Sequence, residues 1–375
     1  MAWEVLSQSD MTESACSFVP PFCPRTSCRF HHSNLGWRWL SHGHYSRHCA
    51  PQRIRRFRCV HCGVTFSTQT FSTTYYLKRP ELLTACFHRL LACSGYRQIA
   101  REARCAPTTV MGQAARLGRH ALLYLTEHRP RGRVHEPLVI DGFESFAHSQ
   151  FQPLHLNTVV GAESHYVYGF TQVTLRRKGR MTEKQRQLRK ELEERGGKPD
   201  PKGIEREMAV ALKIAAPEPQ ALVIRSDEHP AYPRALRHLG GYTVEHQQTP
   251  SVQSRTPQNP MFPVNLLDLL LRHNGAHHKR ETIAFAKRHQ AVLERDALLI
   301  LWRNFTKRFS ENRDGGTPAM RLGLRESPLS PEALVKERLF PTRVALPRRW
   351  QEYYGREIET ADLKNPRRHA LKRAI

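Results

Sequence analysis

Two aspartates in this sequence follow short apolar runs in the same way. Leu138-Val-Ile140 leads directly into Asp141, and Ala221-Leu-Val-Ile-Arg-Ser226 leads into Asp227. Such runs predict buried strands, and a carboxylate where a buried strand ends is held rigidly. Mg²⁺ and Mn²⁺ prefer oxygen ligands, so the two aspartates predict a site for hard divalent cations. The alternative is that each aspartate only opens a turn, which is a common use of this residue.

Four of the nine cysteines form two close pairs, Cys23 with Cys28 and Cys59 with Cys62. Two short loops that each supply two thiolates are typical of a tetrahedral structural Zn²⁺ site. Gly63 lets the second loop turn back toward the sulfurs. Unliganded thiols are the alternative. A histidine could also replace one cysteine, and the candidates are His31, His32, His48 and His61.

Between the cysteine pairs lies a basic stretch, Arg53-Ile-Arg-Arg-Phe-Arg58, with aromatic residues close by in the sequence. Basic residues interleaved with aromatic ones suit a strand that follows a phosphate backbone. A solvated edge strand is the other interpretation, and the two are compatible. We expect DNA contacts from Arg55, Arg56 and Arg58.

The next segment has the pattern of a helix-turn-helix. Gly95–Glu102 predicts a short helix and 103–106 a turn. Pro107–Leu117 then predicts the start of the next helix, with proline at its first position. This order resembles a DNA-binding unit whose second helix enters the major groove, although three small helices also occur in domains that bind no DNA. We expect base contacts from Thr108, Thr109 and Gln113, a phosphate contact from Arg116, and a further contact from Arg97.

The remaining pattern predicts an α/β domain over residues 135–310. Residues 176–206 are dense in charge and predict an exposed helical insertion. The other expected elements are strands at His155–Ala162, Tyr166–Leu175, Ala221–Asp227 and Tyr242–His246, and an amphipathic helix at Ile204–Ala215.

Composition points to a polyanionic partner. Lysine and arginine outnumber aspartate and glutamate 59 to 34, a formal net charge of +25 over 375 residues. Such an excess attracts nucleic acid through counterion release, and a membrane surface is the lesser alternative. No stretch approaches the roughly 18 apolar residues of a membrane-spanning helix, and the N-terminus is acidic where a signal peptide would be basic. Without a P-loop pattern, NTP hydrolysis is not indicated.

Together these motifs resemble bacterial insertion-sequence transposases of the Asp-Asp-Glu or Asp-Asp-Asn type. The resemblance rests on Asp141 and Asp227 in their contexts, on Asn259–Asp268 and on Arg280–Phe285. It implies a zinc ribbon, a helix-turn-helix and an RNase H-like core with a mixed sheet. It also implies two catalytic Mg²⁺ or Mn²⁺ ions, cleavage at the ends of a DNA element, strand transfer, and a homo-oligomer on DNA in the bacterial cytoplasm.

The resemblance implies a third metal ligand on a helix, with a basic residue seven positions later. Asn265 with Arg272 fits that spacing, which is two turns along one helical face. A neutral amide takes the place of the usual glutamate. Asp268 and Glu281 are therefore rival ligands, Glu245 is a distant one, and Asn265 could instead cap a helix.

The expected domain order is a flexible N-terminus, a zinc ribbon, a helix-turn-helix, a catalytic domain and a basic C-terminal tail. The corresponding ranges are 1–22, 23–75, 78–127, 135–310 and 311–375. A transposase-derived DNA-binding protein without catalytic activity would have the same first half. A metal-dependent nuclease without strand transfer would share the aspartates.

Overall fold

The computed structural model describes residues 18–279, 281–310, 315–361 and 363. The chain divides into two compact units, Met1–Lys78 and Arg79–Ile375. The expectations for residues 1–17 and for the basic run at 366–373 lie outside the described residues. No described helix is long and apolar enough to cross a membrane.

The first unit is built on an antiparallel sheet in the order β1-β2-β3. Its strands are β1 (Trp39–Ser46), β2 (Arg53–Cys59) and β3 (Thr65–Ser67), with 3₁₀ turns at Arg29–His31 and Thr68–Phe71. Aromatic rings form much of the core, and Phe57 packs between Phe66, at 5.6 Å between ring centroids, and Phe18, at 5.9 Å. Residues 18–22 therefore belong to this folded unit, although the sequence predicts a flexible segment there.

The second unit contains five strands and eleven helices among its described residues. The strands are β4 (Leu138–Phe146), β5 (Pro153–Gly161), β6 (Val167–Thr174), β7 (Ala221–Ser226) and β8 (Thr243–Gln248). The helices are α1 (Leu82–Leu91), α2 (Tyr96–Glu102), α3 (Pro107–Glu127), α4 (Glu183–Gly196), α5 (Gly203–Ala215), α6 (Ala231–Leu236), α7 (Phe262–Asn274), α8 (His289–Phe305), α9 (Pro318–Arg321), α10 (Pro331–Leu334) and α11 (Arg348–Gly355), with a 3₁₀ turn at Ala276–His278.

These strands form one mixed sheet in the order β6-β5-β4-β7-β8. Strands β4, β5 and β6 pair antiparallel, whereas β4 pairs parallel with β7 and β7 with β8. Strand β5 is buried along almost its whole length, including its polar residues, because the sheet and the helices α5 and α7 pack around it. The predicted α/β class with a mixed sheet is confirmed.

Helix α3 packs closely against α8 in the same unit. A Cβ placed on Gly118 would lie 2.5 Å from the carbonyl oxygen of Glu294, so the close crossing requires a glycine. The helix predicted to start with Pro107–Leu117 runs to Glu127, because the residues after Leu117 bury apolar side chains. The helix-turn-helix segment is thus continuous with the sheet-bearing unit.

The residues after 315 cover the outer edge of β6, where the sequence predicts a loose linker and a basic tail. Trp350 Nε1 donates to the carbonyl of Phe170 at 3.0 Å, and the amide of Gln172 donates to the hydroxyl of Tyr353 at 2.9 Å. Asn304 of α8 pairs with both the amide and the carbonyl of Val167. These side chains satisfy backbone groups that an edge strand would leave unpaired.

Candidate active site

Asp141 and Asp227 lie side by side because of the register of two parallel strands. The last parallel pair of β4 and β7 is Val139 with Arg225, and each aspartate stands two residues beyond it. Strand β4 does not end at Asp141, as the sequence predicts, but continues to Phe146 by pairing with β5. Burial raises the pKa of Asp141, and the charge of Asp227 adds to the shift, as expected of neighbouring carboxylates.

Tyr232 of α6 reaches into the same place from beyond the end of β7. Its hydroxyl donates to Oδ1 of Asp141 at 3.0 Å. Burial, and then the charges of Asp141, Asp227 and Asp268, raise the pKa of Tyr232 far above its ordinary value. Tyr232 therefore stays protonated, and the charges of all three aspartates act on its hydroxyl.

The third carboxylate belongs to Asp268 in the middle of α7. Its Oδ1 is buried and has no hydrogen-bond partner among the described residues. Burial raises the pKa of Asp268 to about 8, and the charge of Asp141 adds to the shift. A carboxylate buried beside other carboxylates is destabilised in its charged form, so this group is suited to a cation that would neutralise it.

Burial also raises the pKa of Asp141 to about 6, and the charge of Asp227 contributes. The amide of Gly142 at 2.7 Å and the Tyr232 hydroxyl oppose this shift by donating to Oδ1. Arg255, exposed on the loop before α7, favours the charged form of both Asp141 and Asp268. A basic side chain at the open side of an acidic site suits a phosphate-bearing substrate.

Arg272 lies one turn after Asp268 on the same face of α7. Its guanidinium stands 4.5 Å from the ring centroid of Phe143, two residues beyond Asp141 on β4, and its charge lowers the pKa of Asp268. Asn265 is half-buried and lies one turn before Asp268 on that face. The structure thus brings Asn265, Asp268 and Arg272 into one row beside Asp141.

The two other rival ligands lie elsewhere in the described unit. Glu281 is exposed in the segment between the 3₁₀ turn and α8. Glu245 lies on β8, where it accepts a hydrogen bond from Gln247 Nε2 at 2.7 Å. The signal for Asp268 was present in the sequence, because an acidic residue among leucines in an apolar helix needs a polar environment.

The four cysteines of the first unit lie together. Their sulfur atoms are all within 4.8 Å of one another, and Cys23 Sγ is 3.5 Å from Cys62 Sγ. Gly63 has a φ of 72° and returns its amide to the carbonyl of Cys59 at 3.0 Å, which closes the second loop. This donor set and spacing fit a tetrahedral zinc ion, so the four cysteines could hold zinc.

Hydrogen bonds favour the thiolate form of Cys59, which is the form that binds a metal. Burial favours the neutral form of Cys59, but the indole Nε1–H of Trp37, 3.3 Å from Sγ, and nearby backbone amides outweigh burial and lower its pKa to about 7. Burial raises the pKa of Cys23 well above its ordinary range. Zinc would offset that cost, because it binds thiolates. His31 instead bonds to the carbonyl of Cys23 at 2.8 Å.

The arginines predicted to contact DNA in the first unit lie on β2. Arg58 is exposed, while Arg55 and Arg56 are half-buried. The guanidinium of Arg55 is 5.0 Å from the centroid of Phe57 and 6.0 Å from that of Trp39. Stacking of this kind orients a guanidinium without neutralising it.

The residues predicted to contact DNA in the helix-turn-helix differ in accessibility. Arg97 and Thr108 are exposed and Thr109 is half-buried. Gln113 is only 5% exposed, and burial lowers the pKa of Arg116 to about 10. The expectation that Gln113 faces base edges does not fit this burial, which arises because α3 packs on the rest of its unit. Arg116 is likewise directed mainly into protein.

Comparison with models of protein families gives no match, and comparison with curated proteins gives none either. Among solved structures, one match is the cryo-EM structure of the simian T-cell lymphotropic virus intasome in complex with the PP2A regulatory subunit B56 gamma. The identity is 13%, over 56% of this chain and 69% of that chain, and the TM-score is 0.24. A TM-score this low establishes no shared fold, so no property of that assembly is carried over to this chain.

Proposed function

We propose that this protein is a DNA transposase that cleaves and joins DNA strands with two divalent cations. The observation that carries the proposal is the strand register that puts Asp141 beside Asp227, together with the hydrogen bond from Tyr232 to Asp141 and the buried, unpaired Oδ1 of Asp268. Burial raises the pKa values of Asp141 and Asp268, with a contribution from neighbouring carboxylates, and shifts of this kind are frequent at functional sites. Bound Mg²⁺ or Mn²⁺ would offset both the burial of the negative charges and the repulsion between them.

The strand order supports an RNase H-like core. Three antiparallel strands are followed by two parallel ones, and the sheet order β6-β5-β4-β7-β8 puts the first strand of the unit in the centre. Asp141 lies on that central strand and Asp227 follows its parallel neighbour. In open α/β sheets, ligands bind beyond the carboxyl ends of parallel strands. Asp227 stands there, directly after β7, and Asp141 lies two residues past the last parallel pair of β4.

Asp268 is our choice for the third ligand. Asp268 is electrostatically linked to Asp141 and carries an unpaired buried oxygen. Asn265 lies one turn away and would line the same site. A third carboxylate also gives the site three negative charges to set against two divalent cations, where Asn265 would give it two.

Each side chain then has a definite task. Asp141, Asp227 and Asp268 would hold the two cations. When bound, the cations would activate the attacking hydroxyl and stabilise the leaving oxygen of the phosphodiester. Tyr232 orients the carboxylate of Asp141, and Arg272 and Arg255 would hold DNA phosphates near the acids.

The remaining features support action on DNA. The charge of +25 favours a polyanion. In the first unit a zinc ion held by the four cysteines would fix β2, with Arg55, Arg56 and Arg58, as a DNA-binding surface. In the second unit Arg97, Thr108 and Thr109 would make the helix-turn-helix contacts. We expect the protein to work as a homo-oligomer on DNA ends in the bacterial cytoplasm.

The test is a strand-transfer assay with Mg²⁺ or Mn²⁺ on the DNA that flanks the gene. Wild type should give cleaved ends and joined products, and Asp141→Ala, Asp227→Ala and Asp268→Ala should each abolish both. DNA binding should be nearly unchanged, because none of these carboxylates belongs to the surfaces assigned to affinity. Leu269→Ala, an exposed residue beside Asp268 on α7, is the matched control and should remain active.

Two outcomes would contradict the proposal. Nicked DNA without joined product would identify a metal-dependent nuclease, and binding without cleavage would identify a DNA-binding protein that has lost catalysis. Full activity of Asp268→Ala together with an inactive Asn265→Ala would move the third ligand to Asn265.

A further inference from the structure

A second cluster of metal-binding side chains lies in the second unit, apart from the three aspartates. It consists of His277 and His278, in the 3₁₀ turn after α7, and Asp296 of α8. Both imidazole rings direct Nε2 at the same carboxylate oxygen, with Oδ1 of Asp296 at 3.2 Å from His277 and 2.7 Å from His278. Two imidazoles and one carboxylate from two elements are a common zinc ligand set.

The cluster is fully buried. His277 and His278 are each 2% exposed and Asp296 is 0% exposed. Oδ2 of Asp296 and Nδ1 of His277 are buried and have no hydrogen-bond partner among the described residues. A buried carboxylate that leaves one oxygen unpaired is costly unless a cation compensates for it.

The neighbouring arginine does not supply that cation as a direct partner. Arg295 donates through Nη2 to the carbonyl of Ser94 at 3.2 Å, and its guanidinium stands 5.3 Å from the ring centroid of Tyr96. Consecutive residues of a helix point about 100° apart, so Arg295 and Asp296 face different neighbours. The compensating charge would therefore come from a cation bound within the cluster or from a proton on one of its imidazoles.

The hydrogen bond behind His278 is the kind that supports a metal ligand. Nδ1 of His278 is 2.9 Å from Oγ of Ser145 on β4. If Nε2 binds a metal, Nδ1 carries the proton and donates to Ser145, which fixes the tautomer and the orientation of the ring. The edge of Phe143, whose centroid is 4.8 Å from that of His278, packs against the same imidazole.

We propose that His277, His278 and Asp296 bind a zinc ion. Ligand atoms around a tetrahedral zinc are separated by roughly 3.3 Å, given bonds of about 2.0–2.1 Å. The two Nε2–Oδ1 distances of 3.2 and 2.7 Å are near that spacing, and all three ligand atoms lie within 4.8 Å of one another. The free Oδ2 of Asp296 supplies a further donor.

The ion would have a structural task. The 3₁₀ turn follows α7 directly, so zinc would fasten the end of the helix that carries Asp268 and Arg272 to α8 and, through Ser145, to β4. The proposal is independent of catalysis, because it concerns how the second unit is held together. It would stand even if the protein only bound DNA.

The test is the zinc content of the full chain, measured by elemental analysis after dialysis against a Mg²⁺ buffer without chelator. Wild type should hold two zinc ions per chain, one for each of the two clusters. Cys59→Ser/Cys62→Ser and His278→Gln should each hold one. His289→Gln replaces a buried histidine of α8 that lies outside the cluster; this matched control should hold two zinc ions.

X-ray absorption at the zinc edge identifies the ligands and does not require a folded His278 variant. In the double cysteine variant the remaining zinc should be bound by nitrogen and oxygen only. A wild type with one zinc ion, bound by sulfur alone, would overturn the proposal. So would a second zinc that persists in His278→Gln and disappears in Asp268→Ala, because that ion would sit on the aspartates.

Discussion

The hydroxyl of Tyr232 donates a 3.0 Å hydrogen bond to the carboxylate of Asp141, across ninety-one residues of sequence. Tyr232 stands just after the chain leaves β7, so it ties α6 to the central strand of the sheet. The same hydroxyl lies within the electrostatic influence of Asp227 and Asp268. This single contact defines the centre of the candidate site.

Tyr232→Phe should weaken the binding of Mg²⁺ without unfolding the protein. The hydrogen bond stabilises the charged form of Asp141, so its loss leaves that carboxylate more often protonated near neutral pH. We expect the Mg²⁺ concentration for half-maximal cleavage to rise roughly 3- to 10-fold, the effect of a hydrogen bond of about 1 kcal/mol. Tyr242→Phe removes a hydroxyl that bonds to Ala216 instead and is the control. An unchanged Mg²⁺ requirement would contradict the assigned task of Tyr232.

In Mg²⁺-free buffer, the contribution of Asp141 and Asp268 to stability should fall as the pH rises from 4 to 8. The ordinary pKa of an aspartate, 3.8, is raised in the folded state to about 6 for Asp141 and about 8 for Asp268. Folded protein therefore binds more protons than unfolded protein across that range, and stability present below pH 4 is lost as the pH rises through the folded pKa values. For Asp268 the loss is on the order of a few kcal/mol.

Chemical denaturation at pH 5 and pH 8 measures this loss. The stability of wild type relative to Asp268→Asn should be lower at pH 8 than at pH 5, because only wild type has the carboxyl group that loses its proton in the folded state, and added Mg²⁺ should increase the stability of wild type at pH 8. Glu191→Gln, on the exposed helix α4, is the control and should behave as wild type. Equal pH dependence in wild type and Asp268→Asn would show that Asp268 is not held in a raised-pKa environment.

Cys59→Ser should release the zinc of the first unit and reduce DNA affinity. The mutation removes one of four converging sulfurs and the acceptor of the Trp37 indole hydrogen bond. Structural zinc contributes folding free energy directly, so we expect this small unit to lose its structure. Elemental analysis and Trp37 fluorescence are the measurements. Cys49→Ser, a residue outside the cluster, should retain the metal; equal zinc in both variants would refute the assignment.

Arg97→Ala should weaken DNA binding, whereas Gln113→Met should preserve it. Arg97 is exposed, so its loss should weaken DNA binding and lower the slope of log affinity against log salt by about 1. Gln113 is buried and its Oε1 has no hydrogen-bond partner among the described residues, so methionine should preserve DNA binding and leave stability equal or higher. Fluorescence anisotropy at several salt concentrations, with thermal unfolding, separates the two. Weaker DNA binding by Gln113→Met at unchanged stability would indicate that Gln113 contacts DNA.

Local patterns in the sequence were enough to predict most of the elements. Each apolar run, at 138–140 and at Ala221–Ser226, lies in a strand because central strands with helices on both faces must be apolar along their length. The cysteine spacing likewise predicted a cluster that the fold forms. Short-range constraints of this kind need only nearby residues.

The sequence did not decide which residue of α7 meets Asp141. Asn265, Asp268 and Arg272 share one helical face, so spacing alone treats them alike. The depth at which α7 packs beside β4 brings Asp268 within the electrostatic influence of Asp141. The packing depth depends on the side chains of both α7 and β4, so the periodicity of either element alone does not predict it.

The sequence by itself determined that the chain is basic, that it carries four paired cysteines, and that two aspartates follow apolar runs. Only the tertiary structure decided that α3 continues into the core and buries Gln113, that residues after 315 cover the edge of β6, and that two histidines meet Asp296. The physical reason is that these contacts join residues far apart in the chain. Their free energy depends on how whole elements pack, which a local pattern cannot express.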